Sequence, residues 1–164
     1  MASFVQRRIV EPLLTLLRQG ITPQKLALSL ACGVVCGIFP VMGSTTILGA
    51  TAALIFRLNL PAVQLVNYLI YPLQLALIVP FIHAGELILR TDSTHLSLVQ
   101  MIAIFRANHL QGLHILWRLA LHGIFAWLLF APILFALTYC LFRPPVERMA
   151  RSIERRRATT AVAL

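Results

Sequence analysis

The chain has 164 residues, of which 59% are hydrophobic and 12% are charged, and its net charge is +9. That balance is far too apolar for an ordinary soluble domain and predicts an all-α, polytopic integral membrane protein with a single domain. The basic residues cluster at the two ends of the chain, so the charge does not indicate nucleic-acid binding. The positive-inside rule instead predicts cytoplasmic N and C termini and an even number of crossings.

Three segments follow from this distribution of charge. Residues 1–25 are expected to form a cytoplasmic interfacial segment, which contains an amphipathic helix over 4–17. Residues 26–142 are expected to be embedded in the membrane, and residues 143–164 to form a basic cytoplasmic tail after Arg143-Pro144-Pro145 stops the last helix. The interfacial segment and the tail both suit anionic head groups, so the lipid bilayer is the predicted partner.

The first embedded stretch, Leu26–Phe56, has no charged residue. It is longer than one span of about 20 residues and shorter than two full spans with a turn. Pro40 disfavours a continuous helix and Gly43 supplies backbone freedom, so the sequence predicts a helix, a break and a second helix. Two arrangements fit, a re-entrant hairpin or two short crossings.

The break is the leading candidate site. Ser44, Thr45 and Thr46 are good caps for a second helix, whose free N–H groups and positive dipole end suit a phosphate or a carboxylate. The alternative is that Pro40 and Gly43 only form a tight turn that the hydroxyl groups cap.

The second embedded stretch, Leu58–Leu89, is also interrupted by a proline. Pro72 closes an Ile-Tyr-Pro triplet that resembles the Ile-Phe-Pro triplet ending at Pro40, and paired broken segments are typical of transporter sites at the membrane midplane. The turn between the stretches contains Arg57 and Asn59. Arg57 is expected either at a membrane face or turned inward to bind an anion.

A polar stripe follows this turn, formed by Gln64, Asn67, Tyr71 and Gln74 at helical spacing. Polar groups in hydrocarbon seek partners, so the stripe is expected to face the protein interior. It serves either ligand contact or interhelical hydrogen bonding. On the preceding stretch, Gly33 and Gly37 stand beside Cys32 and Cys36, a small-residue pattern typical of close helix contact.

The remaining segments contain little that indicates chemistry. Glu86 is expected to pair with Arg90, with a proton-coupling role for His83 or Glu86 as an alternative. Residues 91–111 contain an amphipathic pattern, and Leu119–Phe142 is a full span. No paired carboxylates, nucleophile elbow or metal-ligand spacing is visible, so the sequence predicts a non-enzyme with no catalytic residue, no metal and no cofactor.

These features together resemble a family of small bacterial inner-membrane proteins called domain of unknown function 2062. The resemblance covers roughly residues 22–90 and depends on Gly33, Gly37-Ile38-Phe39-Pro40 and Gly43, then Arg57-Leu58-Asn59-Leu60-Pro61, Pro72 and Gly85. The chain departs from the family at Tyr71, where asparagine is common, and at Thr45, where glutamine is frequent. The resemblance implies a compact helical domain in the bacterial inner membrane, sometimes beside glycosyltransferase domains, and no established activity.

Two functions fit the sequence. The first is transport or binding of an anionic amphiphile of the phospholipid or polyprenyl-phosphate type. The second is a non-catalytic membrane scaffold for a partner such as a glycosyltransferase. A chain this short encloses little volume, so a homo-oligomer is also expected for a carrier. The ligand site would be formed by Pro40, Gly43, Ser44, Thr45, Thr46, Arg57, Asn59, Gln64, Asn67, Tyr71 and Pro72.

Overall fold

The protein is described by a computed structural model, which places residues 11, 15, 21–91 and 109–162. Over these residues the fold is all-α, as predicted. Five helices longer than one turn occur in them: α1 Pro23–Gly37, α2 Thr45–Ile55, α3 Leu60–Leu69, α4 Tyr71–Leu89 and α5 His109–Val162. Most of the interfacial segment expected over 4–17 and of the amphipathic pattern within 91–111 lies outside the described residues.

Helix α1 is the most deeply buried of these helices. Thr22 caps its start by accepting a hydrogen bond from the Lys25 backbone N–H at 3.4 Å, and Pro23 occupies its first turn. The predicted close contact of its glycines is confirmed. A Cβ on Gly33 would lie 2.6 Å from the Val63 carbonyl oxygen, so no larger residue fits between α1 and α3 here.

The predicted break at Pro40 is also confirmed. Helix α1 ends at Gly37 and α2 begins at Thr45, with Pro40 buried in the segment between them. Gly43 has a φ of +82°, a left-handed conformation that suits glycine. The chain therefore reverses direction, and α2 runs back along α1 so that Gly49 approaches Cys36.

Helix α3 reverses the direction once more and runs parallel to α1. Near its start, the Asn59 backbone N–H donates to the Ser29 hydroxyl at 2.9 Å. Asn59 also caps α3 by accepting from the Ala62 backbone N–H at 2.8 Å. Near the end of α3, Asn67 and Ile70 lie against Gly37. The starts of α1 and α3 are therefore at one end of the bundle and their ends meet inside it.

A second break separates α3 from α4 at Ile70, and Pro72 lies in the first turn of α4. This break differs from the first. The break at Pro40 is a loop of several residues, whereas Ile70 alone separates two helices that continue in sequence. The resemblance of the two proline triplets therefore does not extend to their local structure.

Helix α5 overturns the prediction that Arg143-Pro144-Pro145 stops the last helix. It continues through both prolines to Val162. The physical reason is packing, because Val146 is only 3% exposed and clusters with Leu26, Leu30 and Ala62. An ion pair between Arg143 Nε and Glu147 Oε1, at 2.8 Å, adds a link across the proline turn. The helix thus crosses the expected domain boundary at 142/143 without interruption.

Helices α1 and α4 both pack along α5, which runs in the opposite direction to each. The start of α1 meets Val146, its later part bonds to Trp127, and α4 touches α5 where Gly85 lies against the backbone of His122. The breaks therefore lie within the bundle, between an end that contains Val146 and an end that contains Arg90.

Two helical segments within the described residues are long and apolar enough to cross a membrane, Tyr71–Leu89 and Leu113–Ile153. Helix α2 is apolar but shorter. Large apolar side chains are exposed along the outer faces of these helices, among them Ile47, Leu54, Val79, Leu87, Phe125, Leu129, Ile133 and Leu137.

Candidate ligand sites

The two breaks meet in space. Gln74 Nε2, on α4, donates to the carbonyl oxygen of Phe39 at 2.9 Å, and Ile70 packs on Gly37. Helix α5 closes the same region, because Trp127 Nε1 donates to the Val35 carbonyl at 3.0 Å and its ring contacts Phe39 edge to face, with 4.9 Å between centroids. Two backbone carbonyl groups near the end of α1, those of Val35 and Phe39, thus accept hydrogen bonds from side chains.

The amides of the polar stripe form a connected chain. Gln64 Nε2 donates to the Thr46 carbonyl at 2.9 Å, and Asn67 Nδ2 donates to Gln64 Oε1 at 3.1 Å. The first bond ties α3 to α2, and the bond from Gln74 to Phe39 ties α4 to the loop after α1, as the interhelical interpretation of the stripe predicts. Tyr71 departs from the stripe, since it is 43% exposed at the start of α4.

Two buried amide oxygens remain without a hydrogen-bond donor among the described residues, Asn67 Oδ1 and Gln74 Oε1. Asn67 is 3% and Gln74 is 1% exposed. A buried polar atom left unpaired costs about 1–3 kcal/mol, so each such atom calls for an explanation.

The hydroxyl groups at the first break do not act as predicted. Ser44 occupies the N-cap position of α2, but its side chain makes no cap hydrogen bond, and its hydroxyl donates to the Val41 carbonyl at 2.8 Å instead. Thr45 is buried, and Pro40 packs against Gly123 on α5. Gly43 is exposed, with no atom within 4 Å of the position that a Cβ would occupy.

The structure therefore divides the predicted site residues into groups. The first group lies around the first break and consists of Pro40, Thr45, Thr46, Gln64 and Asn67. The second group, Arg57 and Asn59, lies in the turn between α2 and α3. This turn is near the start of α1 and far from the first break. Tyr71 and Pro72 are exposed at the start of α4.

An apolar cavity of about 560 Å³ lies between α1, α2 and α5. It extends from the Arg57 turn, where Leu28, Phe56 and Leu58 line it, to the region of the first break. Its remaining lining residues are Cys32, Val35, Cys36, Leu48, Ala52, Trp127 and Phe135. This volume is within the range of small-molecule sites.

Sequence reasoning missed this cavity as a site. Apolar side chains on three helices form it, and in the sequence those residues are indistinguishable from ordinary core or lipid-facing positions. The one usable signal was the alternation of small and large residues on α1, where Cys32 and Cys36 leave space that a larger side chain would fill.

The ionisable residues on α4 also pair differently from the expectation. Glu86 is 3% exposed, and its Oε2 lies 3.3 Å from His83 Nδ1, so Glu86 pairs with His83 in place of Arg90. The residues that the structure describes contain no group of three or more His, Cys, Asp or Glu side chains arranged to hold a metal ion.

Comparison with known proteins identifies a family but no activity. No curated protein and no solved structure matches the chain. One family does match, described as an uncharacterized protein conserved in bacteria, domain of unknown function 2062, and its match covers residues 6–156. That range is longer than the one over which the motifs themselves carry the resemblance. The chain is a member of the bacterial family of domain of unknown function 2062.

Proposed function

We propose that this protein is an integral membrane protein of the bacterial inner membrane that binds an anionic amphiphile. In this arrangement α1 and α2 form a re-entrant hairpin that enters from the cytoplasmic face and returns to it. Helices α3 and α4 make the first crossing, and α5 makes the second. Both termini then lie on the cytoplasmic side.

Helix lengths and charges support this placement. Helices α3 and α4 together extend over residues 60–89, about 45 Å at 1.5 Å per residue, which matches a bilayer with its head-group regions. Lys25, Arg57, Arg148 and Arg151 all belong to the end of the bundle that contains Val146. An excess of basic residues at one end is typical of the cytoplasmic face.

The apolar cavity beside Arg57 is the observation that carries the binding proposal. Its walls are almost wholly apolar, so they suit a hydrocarbon chain. From Leu28 to Cys36 the cavity covers about 12 Å along α1, which is within the depth of one leaflet. Arg57 lies between the lining residues Phe56 and Leu58 in the sequence, and a guanidinium suits a phosphate at the membrane surface.

The test is quenching of Trp127 by phospholipids with brominated acyl chains. Trp127 lines the cavity, and a Trp117→Phe background removes the other tryptophan, which is exposed. We expect brominated phosphatidylglycerol, added to the protein in detergent, to quench Trp127 saturably. Ala52→Phe, which fills the cavity, should abolish the saturable quenching, whereas Leu54→Phe on the outer face of α2 should leave it unchanged.

The head-group contact is tested at Arg57 in the same assay. Arg57 has a φ of +51°, a conformation that asparagine tolerates, so Arg57→Asn removes the charge with little backbone strain. We expect it to remove the preference for phosphatidylglycerol over phosphatidylcholine, and Arg57→Lys to retain that preference. Quenching that is linear in lipid, and equal in the Ala52→Phe variant, would contradict the binding proposal.

A scaffold function is the second candidate, and the polar stripe favours it. Its amides bond to Thr46, Gln64 and Phe39 within the chain, which stabilises the bundle without a ligand. If quenching shows no saturable site while the protein copurifies with a membrane partner through its exposed apolar faces, the scaffold function is supported instead.

A further inference from the structure

The junction of the two breaks has the properties of a cation site. We propose that Asn67 Oδ1 and Gln74 Oε1, together with backbone carbonyl oxygens at the end of α1, bind one dehydrated monovalent cation such as Na⁺. This proposal does not depend on amphiphile binding, because it concerns different atoms.

The first step is the identity of the unpaired atoms. An amide side chain can be turned over in a structure, so the assignment of oxygen and nitrogen must come from the hydrogen-bond network. Gln74 contacts the Phe39 carbonyl, which only accepts, so its nitrogen must point there and its oxygen must be the free atom.

The same reasoning fixes Asn67 through one intermediate. Gln64 contacts the Thr46 carbonyl, so Gln64 presents its nitrogen to Thr46 and its oxygen to Asn67. Asn67 must then donate with its nitrogen, and its oxygen is left over. Both free atoms are therefore acceptors, and an anion at this point would face two oxygen atoms.

The second step is their location. Asn67 Oδ1 lies 3.1 Å from the position that a Cβ on Gly37 would occupy, and Gln74 bonds to Phe39, two residues further on. Both side chains are more than nine-tenths buried. The amide groups of Asn67 and Gln74 therefore both lie beside the short segment from Gly37 to Phe39, where α1 ends.

The third step is the electrostatic setting. The C-terminal end of a helix carries a partial negative charge, and the last turn of α1 contains no basic residue to neutralise it. Broken helices in membrane transporters bind Na⁺ with unwound carbonyls and helix C-terminal ends. The ligands here are uncharged oxygens without a carboxylate, which favours a monovalent cation over Mg²⁺ or Ca²⁺.

The binding test uses the Trp117→Phe variant, in which Trp127 is the one remaining tryptophan and all tryptophan emission comes from it. Trp127 contacts Phe39 directly and is therefore sensitive to the site. NaCl is titrated in detergent at constant ionic strength against choline chloride. We expect saturable changes in Trp127 emission and a rise in melting temperature with Na⁺, and neither with choline.

Variants locate the effect. Gln74→Met and Asn67→Leu each remove one proposed ligand and should abolish the saturable response, whereas Asn59→Ser keeps the distant cap of α3 and should retain it. Ala52→Phe, which fills the apolar cavity, should also retain it, so failure of amphiphile binding remains distinguishable. Equal responses to Na⁺ and choline in the protein with Asn67 and Gln74 intact would mean that water satisfies the two oxygens. That result would overturn the proposal whether or not the variants fold.

Discussion

At the scale of single residues, glycines in this chain serve two unrelated purposes. Position 33 requires glycine because a Cβ there would collide with the backbone of α3. Position 43 favours glycine because its φ is +82°, although no atom lies within 4 Å of the position that a Cβ would occupy. The sequence shows the same letter at both positions, but the cost of replacing each has a different physical origin.

This difference predicts opposite outcomes for matched substitutions. Gly33→Ala should lower stability by about 1–3 kcal/mol because α1 and α3 must move apart. Gly43→Asn should be nearly neutral, because asparagine tolerates positive φ and the site is open. Thermal unfolding in a mild detergent measures both. Equal melting temperatures for the two variants would contradict the assignment of Gly33 to close packing.

At the scale of elements, α5 shows that tertiary packing can overrule strong local signals. Two consecutive prolines remove two backbone donors and should end a helix. The helix persists because the turn that follows them places Val146 among Leu26, Leu30 and Ala62, and Met149, Ala150 and Ile153 pack against the same cluster. The apolar face of the predicted lipid-binding tail is therefore used inside the protein over these residues.

Adjacent residues in this turn should respond with opposite signs. Val146→Ser should destabilise the protein by about 2 kcal/mol or more, because it creates a cavity and buries a hydroxyl. Pro145→Ala should raise stability, by up to about 3 kcal/mol, because Pro145 is exposed and the new N–H reaches the Leu141 carbonyl. Chemical or thermal unfolding gives both values. A stabilising Val146→Ser would show that this turn does not dock on α1.

At the scale of the whole molecule, contacts between distant elements determine which ends of the helices lie together. The start of α1 and the Val146 turn of α5 share a cluster, while the end of α4 and the earlier part of α5 meet at Gly85 and His122. The start of α1 and the Val146 turn of α5 are therefore on the same side of the bundle, as the proposed arrangement of one hairpin and two crossings requires.

Labelling of single cysteines with a membrane-impermeant reagent tests this topology. In a background without Cys32, Cys36 and Cys140, Gln24→Cys and Arg148→Cys should react from the cytoplasmic face. Arg90→Cys should react only from the opposite face, because one crossing, by α3 and α4, separates it from the N terminus and one crossing, by α5, separates it from the C terminus. Reaction of Gln24→Cys and Arg148→Cys from opposite faces would exclude the arrangement of one hairpin and two crossings.

The sequence alone determined the features that depend on local chemistry. Apolar composition predicted the helical class, and Pro40 and Pro72 predicted the breaks at which α1 and α3 end. Motifs in one region also pointed to the correct family. These properties are readable because prolines, caps and apolar runs act on their own neighbours in the chain.

Only the tertiary structure decided what these elements do together. It joined the two breaks through Gln74 and Phe39, left two amide oxygens unpaired, and separated Arg57 from the break to which the sequence had joined it as a single site. Unpaired amide oxygens on two different helices have no characteristic spacing in the sequence. The physical reason is that hydrogen-bond partners and cavity walls come from residues far apart in sequence, so the arrangement of packed helices determines which buried polar atoms find a partner.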